Sequence, residues 1–327
     1  MAANSKFFLA VNYPWLAYGR DFGVSPWGYF GIALPESRAA VERDFAGMKS
    51  AGVSLLRWFL LCDGRSGIRY ERGIPIGPDD SLFKDVRTAL ELATQANLQI
   101  CFSLFDFLWL QVPEARGQAF PGRAALQFAG GREALLQKIL IPLFREFEKH
   151  PAIFAWEIVN EPEWAIPEFL RSPKSTLSLG NARSYFSEIA RAISSVAQLP
   201  STLGAARLQW VRAWKEIGLD LLQAHYYPGL EREEKLSLPQ QLESFGRLEQ
   251  PLWMGELPAA DPEFPGYSLA GALTDCQNAG LAGAGVWRWR APEAGGKDAA
   301  FGSVEPQTLV AWNAGSVPQE RFKRTDV

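Results

Sequence analysis

Short apolar runs alternate with stretches of helical period from one end of this 327-residue chain to the other. Residues 7–13 form the first apolar run and predict a strand. Pro35, Glu36 and Ser37 then open a helix over 35–51, with Val41, Phe45 and Met48 at helical spacing and Gly52 as its stop. The same reading places strands at 54–61, 99–105, 153–159, 201–205, 219–226, 252–256 and 282–289. Helices are expected at 81–96, 132–149, 182–198, 211–217, 238–247 and 269–279. Pro142 lies inside the helix expected at 132–149 and predicts a kink or break, and Pro151 ends it.

The runs are near-continuously apolar, as parallel strands covered on both faces must be. Eight strand–helix units in one chain of this size predict a (β/α)8 barrel, a fold of about 250 residues plus insertions. A doubly wound sheet is the architectural alternative. It would carry a glycine-rich phosphate turn after its first strand if it bound a nucleotide, and here Asn12, Tyr13, Pro14 and Trp15 follow instead. No shift in composition marks a boundary, so residues 1–327 read as a single domain.

With 47% hydrophobic residues the chain can bury a large core. Thirty-three Lys and Arg against 36 Asp and Glu give no basic footprint, so neither nucleic acid nor an anionic membrane is an expected partner. The mixed charges at 231–235 read as a solvated helix start. No apolar run is long enough to span a membrane. The first residues carry no basic and apolar leader, which leaves an intracellular protein or a secreted one without its leader. Three scattered cysteines predict free thiols, and only His150 and His225 are present, so no histidine-rich metal site and no cofactor is expected. A monomer is expected.

Long loops should follow the strands at 13–35, 62–80, 106–130 and 162–180, on the barrel face where active sites are built. They carry Trp15, Tyr18, Trp27, Tyr29, Trp109 and Trp164. Such aromatics suit either a cleft for sugar rings or small clusters that pin the loops.

Two carboxylates fall at strand ends. Glu161, between Asn160 and Pro162, ends the fourth strand, and Glu256 ends the seventh. A pair of carboxylates meeting at one rim can split a glycosidic bond, one as acid and one as nucleophile. Glu161 should gain acid character beside Trp156 and Trp164, and Asn160 could bond a sugar 2-hydroxyl. Gly255 is expected to let a ligand approach Glu256. Arg57 and Glu157 each interrupt an apolar strand, which predicts a buried ion pair, a partner for Glu256, or both. His225 and Tyr227 share one side of the sixth strand and suit contact with substrate or nucleophile. Trp287 and Trp289 share one face of the eighth. Trp287 is expected to floor a sugar site and Trp289 to pack structurally.

Taken in order, Arg57 and Trp58, the segment 156–162, His225 and Tyr227, Gly255 and Glu256, and Trp287 resemble clan A of the retaining glycoside hydrolases. The resemblance is closest to the cellulase/β-mannanase family, glycoside hydrolase family 5. It implies Glu161 as acid/base and Glu256 as nucleophile, with Asn160, Arg57, His225, Tyr227 and Trp287 around the cleaved linkage. It further implies a β-linked oligo- or polysaccharide substrate of mannan or glucan type, cut within the chain. Exo action, transglycosylation and a non-catalytic carbohydrate-binding barrel remain as alternatives. Many members carry a His at the end of the third strand. Here Asp106 or Trp109 would take over that contact.

Overall fold

The computed structural model describes residues 7–111, 125–126, 128–170, 177–229, 237–246, 249–290 and 300–315. Eight parallel strands close into a barrel: β1 (Phe8–Asn12), β2 (Leu55–Phe59), β3 (Gln99–Asp106), β4 (Ile153–Asn160), β5 (Ser201–Ala205), β6 (Leu222–His225), β7 (Leu252–Pro258) and β8 (Gly283–Trp287). Each pairs with its neighbours in sequence, and β1 closes the ring by pairing with both β2 and β8. All eight expected strands are present, and the fold is a (β/α)8 barrel.

Alternation along the strands sorts the side chains into two environments. Leu56, Trp58, Ile100, Phe102, Trp156, Ala224 and Met254 turn outward into the apolar layer beneath the helices. Ala10, Leu55, Cys101, Ala155 and Trp253 turn inward and plug the lower end of the barrel. Above that plug the interior becomes polar: Asn12, Arg57, Ser103, Glu157 and Gln223 are all at most 1% exposed.

Three pairings slip by a residue near the upper rim. Ala224 sits opposite Met254, yet His225 sits opposite Glu256. Glu157 pairs with Thr202 and Asn160 with Gly204, and β7 slips against β8 between Met254 and Leu257. Such bulges re-aim side chains, and here they turn Glu256 and Asn160 into the barrel instead of out of it.

The helices follow the predicted order with local changes. Pro142 is accommodated by a π-helical turn, Leu136–Leu140, between the helices Ala129–Leu135 and Ile141–Glu146. The wider turn relieves the clash a proline makes with the preceding carbonyl. The helix expected at 211–217 is instead two 3-10 turns, Leu208–Ala213 and Lys215–Ile217. Trp214, bonded through Nε1 to Glu163 Oε1 at 2.5 Å, pins the segment between them. The helix expected at 238–247 is seen over Leu238–Phe245, while the charged stretch 231–235 lies outside the described residues. A further helix, Pro306–Asn313, follows β8, and Asn313 Nδ2 donates to Ala51 O at the end of the helix Pro35–Ser50. Among the described residues no helix is long and apolar enough to cross a membrane.

The loops after β1 and β2 each fold into a small hairpin, Val24–Ser25 with Gly28–Tyr29, and Ile68–Glu71 with Ile74–Pro78. Asp85, on the helix Leu82–Ala96, ties the first of them down. It accepts from Gly23 N at 2.8 Å, Tyr29 Oη at 2.6 Å and Ala33 N at 3.0 Å. Replacing Asp85 by Ala strands three donors. Unfolding in urea is expected to show a loss of about 2–4 kcal/mol, at about 1 kcal/mol per lost bond.

Candidate active site

Arg57 organises the barrel mouth. Its guanidinium is fully buried, and all of its N–H groups are used. Nε and Nη2 grip Glu157, the latter at 2.6 Å to Oε1. Nη1 donates to Asn12 Oδ1 at 2.9 Å and Glu256 Oε1 at 2.7 Å, and Nη2 also donates to Asn160 Oδ1 at 2.6 Å. Burial alone would loosen its proton, but the Glu157 and Glu256 carboxylates overcome this and raise its pKa. The two readings of Arg57, ion pair with Glu157 and partner of Glu256, hold together.

Glu256 accepts from Arg57 on one oxygen and from Tyr227 Oη on the other, at 2.6 Å. Burial lifts its pKa, whereas His225, Arg57 and Tyr227 restrain the rise. Glu161 leaves β4 in the left-handed conformation, φ 47°. Its Oε2 accepts from Trp164 Nε1 at 2.7 Å, and its Oε1 lies 2.7 Å from His225 Nδ1. The other expected neighbour, Trp156, faces outward between Phe102 and Phe144 and does not shape Glu161.

His225 sits between the carboxylates, with Nδ1 also 3.5 Å from Glu256 Oε1. Burial pushes its pKa down to about 4; the Glu256 carboxylate opposes the shift and Arg57 adds to it. The ring is therefore neutral near pH 7, and its tautomer follows from its partners. The Gln223 amide nitrogen reaches His225 Nε2 at 3.3 Å and Glu157 Oε2 at 3.1 Å. Since the amide nitrogen donates, Nε2 accepts and the proton rests on Nδ1, aimed at the carboxylates. Gln223 and Asn12 were not picked out from the sequence. Both are polar side chains in apolar strands, the same signal that exposed Arg57.

Gly255 and Gly204 serve this network. A Cβ at Gly255 would meet the Gln223 amide nitrogen at 2.3 Å, and one at Gly204 would meet Glu157 Oε1 at 2.9 Å and His225 Nε2 at 3.0 Å. Gly255 thus admits Gln223, where a ligand was expected.

Asn160 and Asp106 form a prop beside Glu161. Asn160 Nδ2 donates to Asp106 Oδ2 at 2.9 Å, and Asp106 Oδ1 accepts from Leu108 N at 3.0 Å. Burial raises Asp106 to about 7, with Glu161 adding to the shift. Trp109 does not reach the mouth. It is fully buried against Phe105 at 4.8 Å, because the turn Phe107–Leu110 folds its apolar side inward. Trp287 lies at the rim, 7% exposed, clustered with Phe59, Cys62 and Tyr227. Trp289 does not share its face: β8 ends at Trp287, and Trp289 packs on Gly47 of the helix Pro35–Ser50.

Carboxylate oxygens of Glu161 and Glu256 and a ring nitrogen of His225 all lie within 4.8 Å of one another. Three such groups have the reach to hold a cation. The proton arrangement opposes it: His225 turns its N–H toward the gap, and Arg57 already supplies positive charge to Glu256.

A closed (β/α)8 barrel with two facing carboxylates at the C-terminal ends of β4 and β7 has the layout of the glycoside-hydrolase barrels. No family model matches the chain. The chain is 25% identical over 163 residues to a mannan endo-1,4-β-mannosidase of Mytilus edulis, covering 49% of this chain and 41% of that protein. The chain therefore spans about two fifths of the length of that relative. Similar folds include the β-1,4-D-mannanase of Cryptopygus antarcticus, with TM-score 0.75 at 17% identity, covering 95% and 90% of the two chains. The β-1,4-mannanase of the sea hare Aplysia kurodai gives TM-score 0.74 at 17% identity, covering 95% and 93%. The resemblance to the cellulase/β-mannanase family thus extends from the motifs to the whole barrel.

Two outcomes test this account of the site. Replacing Gln223 by Leu leaves His225 Nε2 without its donor and Glu157 Oε2 with Arg57 Nε alone. Nitrogen-15 spectra should show the proton of His225 redistributed between its two nitrogens, with stability lower by about 1–3 kcal/mol.

The second concerns pH. Burial raises Asp21, Asp106 and Glu163 to about 6, 7 and 7, from 3.8, 3.8 and 4.5. Each holds its proton more tightly when folded, so its stabilising contribution is complete below the unfolded pKa and lost as pH rises through the folded one. His225 works the other way, losing its contribution as pH falls from 6.5 toward about 4. The three carboxyls outnumber it. The melting temperature should therefore fall as pH rises from about 4 to about 7, and Asp106→Asn or Glu163→Gln should flatten that slope.

Proposed function

We propose that the protein is a retaining endo-β-1,4-mannanase, with Glu256 as nucleophile and Glu161 as acid and base. The observation that carries this reading is the approach of the Glu161 and Glu256 carboxylate oxygens within 4.8 Å. An approach this close suits the covalent double displacement of retaining pairs, whose carboxyls stand about 5–5.5 Å apart, whereas inverting pairs stand about 6.5–9.5 Å apart to admit a water. Mannan as substrate, and action within the chain, are supported by what the relatives are: mannan endo-1,4-β-mannosidases.

In the first step Glu256 attacks the anomeric carbon. The bond to the leaving oxygen breaks, and Glu161 delivers its proton to that oxygen. In the second, Glu161 removes a proton from water, which displaces Glu256 and restores both groups. Arg57 and Tyr227 hold Glu256 as the anion that attack requires. The neutral His225 gives Glu161 an N–H without adding a competing charge. Asn160, fixed by Arg57 and Asp106, is positioned for the sugar 2-hydroxyl, and Trp287 offers its ring to the C–H face of the sugar. Every group named comes from one chain and one barrel, so the reaction needs no second subunit.

Glu256→Ala should abolish turnover of β-1,4-mannan, and azide should rescue it by forming the α-glycosyl azide. Glu161→Ala should slow mannan hydrolysis by about two to four orders of magnitude. It should lose far less on an aryl glycoside, whose leaving group needs no proton, and azide there should give the β-product. Proton NMR of early products should show retained β-anomers. Inverted products, or no cleavage of any β-linked glycan by the intact protein, overturn the proposal.

A further inference from the structure

An aromatic track leads away from Glu256 across the first two loops. Trp287 stands 6.4 Å from Trp15, and Trp15 stands 4.6 Å from Tyr18. The Arg65 guanidinium then lies over both Tyr18, at 5.8 Å, and Trp27, at 4.7 Å. Exposure climbs along the path, from 7% at Trp287 to 39% at Tyr18 and 52% at Trp27.

The outer end is built, not loose. Trp27 caps the hairpin Val24–Ser25 with Gly28–Tyr29, where Ser25 Oγ donates to Gly28 O at 2.8 Å and accepts from Trp27 N at 3.3 Å. Val24 N donates to Asp79 Oδ2 at 2.7 Å, and Ser66 Oγ to Gly19 O at 2.8 Å, which ties the two loops together. Arg65 is locked by the buried carboxylate of Asp63. A rigid Trp left half in water costs hydrophobic free energy and does nothing for the core. A sugar ring would cover its apolar face, and the neighbouring guanidinium offers N–H donors to hydroxyls.

Resting on the proposed function, we infer that Trp27, Tyr18 and Arg65 form a distal glycone subsite. It receives β-1,4-linked hexose units several residues beyond the cleaved bond, toward the non-reducing end. The direction follows from the two carboxylates. The leaving sugar must lie beside the acid, Glu161, where Trp164 and Trp210 meet at 5.5 Å. The Trp15–Tyr18–Trp27 track starts instead from Trp287, in the cluster of Tyr227, which bonds the nucleophile. A chain that occupies this track extends well past the cleavage point, which an enzyme confined to terminal sugars would not need. Continuity with the catalytic mouth also favours substrate over a protein partner for the exposed ring.

The test compares kcat/KM of wild type, Trp27→Ala and Trp27→Phe on mannohexaose and on an aryl β-mannobioside. Trp27→Ala should lose roughly three- to tenfold more on mannohexaose than on the bioside, the worth of one stacked ring. Trp27→Phe should recover most of that difference. With the reducing end labelled by oxygen-18, cleavage of mannohexaose by Trp27→Ala should move toward the non-reducing end. Equal losses on the two substrates, or an unchanged cleavage pattern in a variant whose melting temperature is normal, overturn the subsite and leave the proposed activity standing. Failure of the wild type to cut any β-linked glycan overturns both.

Discussion

The active end of this barrel depends on one buried cation. Arg57 contributes its guanidinium from β2 to Asn12 on β1, Glu157 and Asn160 on β4, and Glu256 on β7. An unpaired charge at this depth would be intolerable, and breaking such a pair costs about 3–5 kcal/mol. The polar layer exists because each member satisfies another. Ser103 donates to Glu157 Oε1 at 2.9 Å, and Gln223 donates to its other oxygen. A well-packed hydrophobic layer replacing the whole network would often be no less stable. What the charges add is a fixed position for the Glu256 carboxylate, set by the same cation that binds side chains from three other strands.

Fixing the cation is not enough, because strict alternation would aim Glu256 the wrong way. Trp253 lies in the lower plug of the barrel, so a regular strand would turn residues 253, 255 and 257 inward and Glu256 outward. The slipped pairing of β7 against β6 and β8 reverses this after Gly255. The irregularity needs room, and Gly255 supplies it: its missing side chain is the space the Gln223 amide occupies. Bulge, glycine and glutamine are thus one device, which brings a charged residue over the network that neutralises it.

These dependencies explain what could be read from the sequence. The eight units, and the strand-end positions of Glu161 and Glu256, follow from apolar periodicity and needed no tertiary information. Arg57 and Glu157 were legible because a charge inside an apolar run demands a partner, and each was the other's. Asn12 and Gln223 carried the same signal in weaker form, since a lone amide in a strand is cheaper to satisfy than a charge. The bulges left no mark, being set by how two strands meet and not by either alone. Trp109 and Trp156 were misplaced for a related reason. A large apolar ring near a strand end suits the mouth and the outer core equally, and only the register decides between them.

The same environment treats the two carboxylates differently, in the sense that the proposed mechanism needs. Glu256 faces a permanent cation and a phenol, both donors that favour an anion. Glu161 is approached by two neutral donors, the Trp164 indole and the His225 ring. Neutral donors tolerate a carboxyl that gains and loses its proton, because neither carries a charge that would be stranded in one of the two states. His225 can fill that role only while it stays uncharged, which burial ensures by lowering its pKa to about 4. Were the imidazole cationic, it would bind Glu161 as firmly as Arg57 binds Glu256, and both carboxyls would be anions. The asymmetry that the proposed mechanism asks of Glu161 and Glu256 therefore rests on burying one histidine next to one arginine.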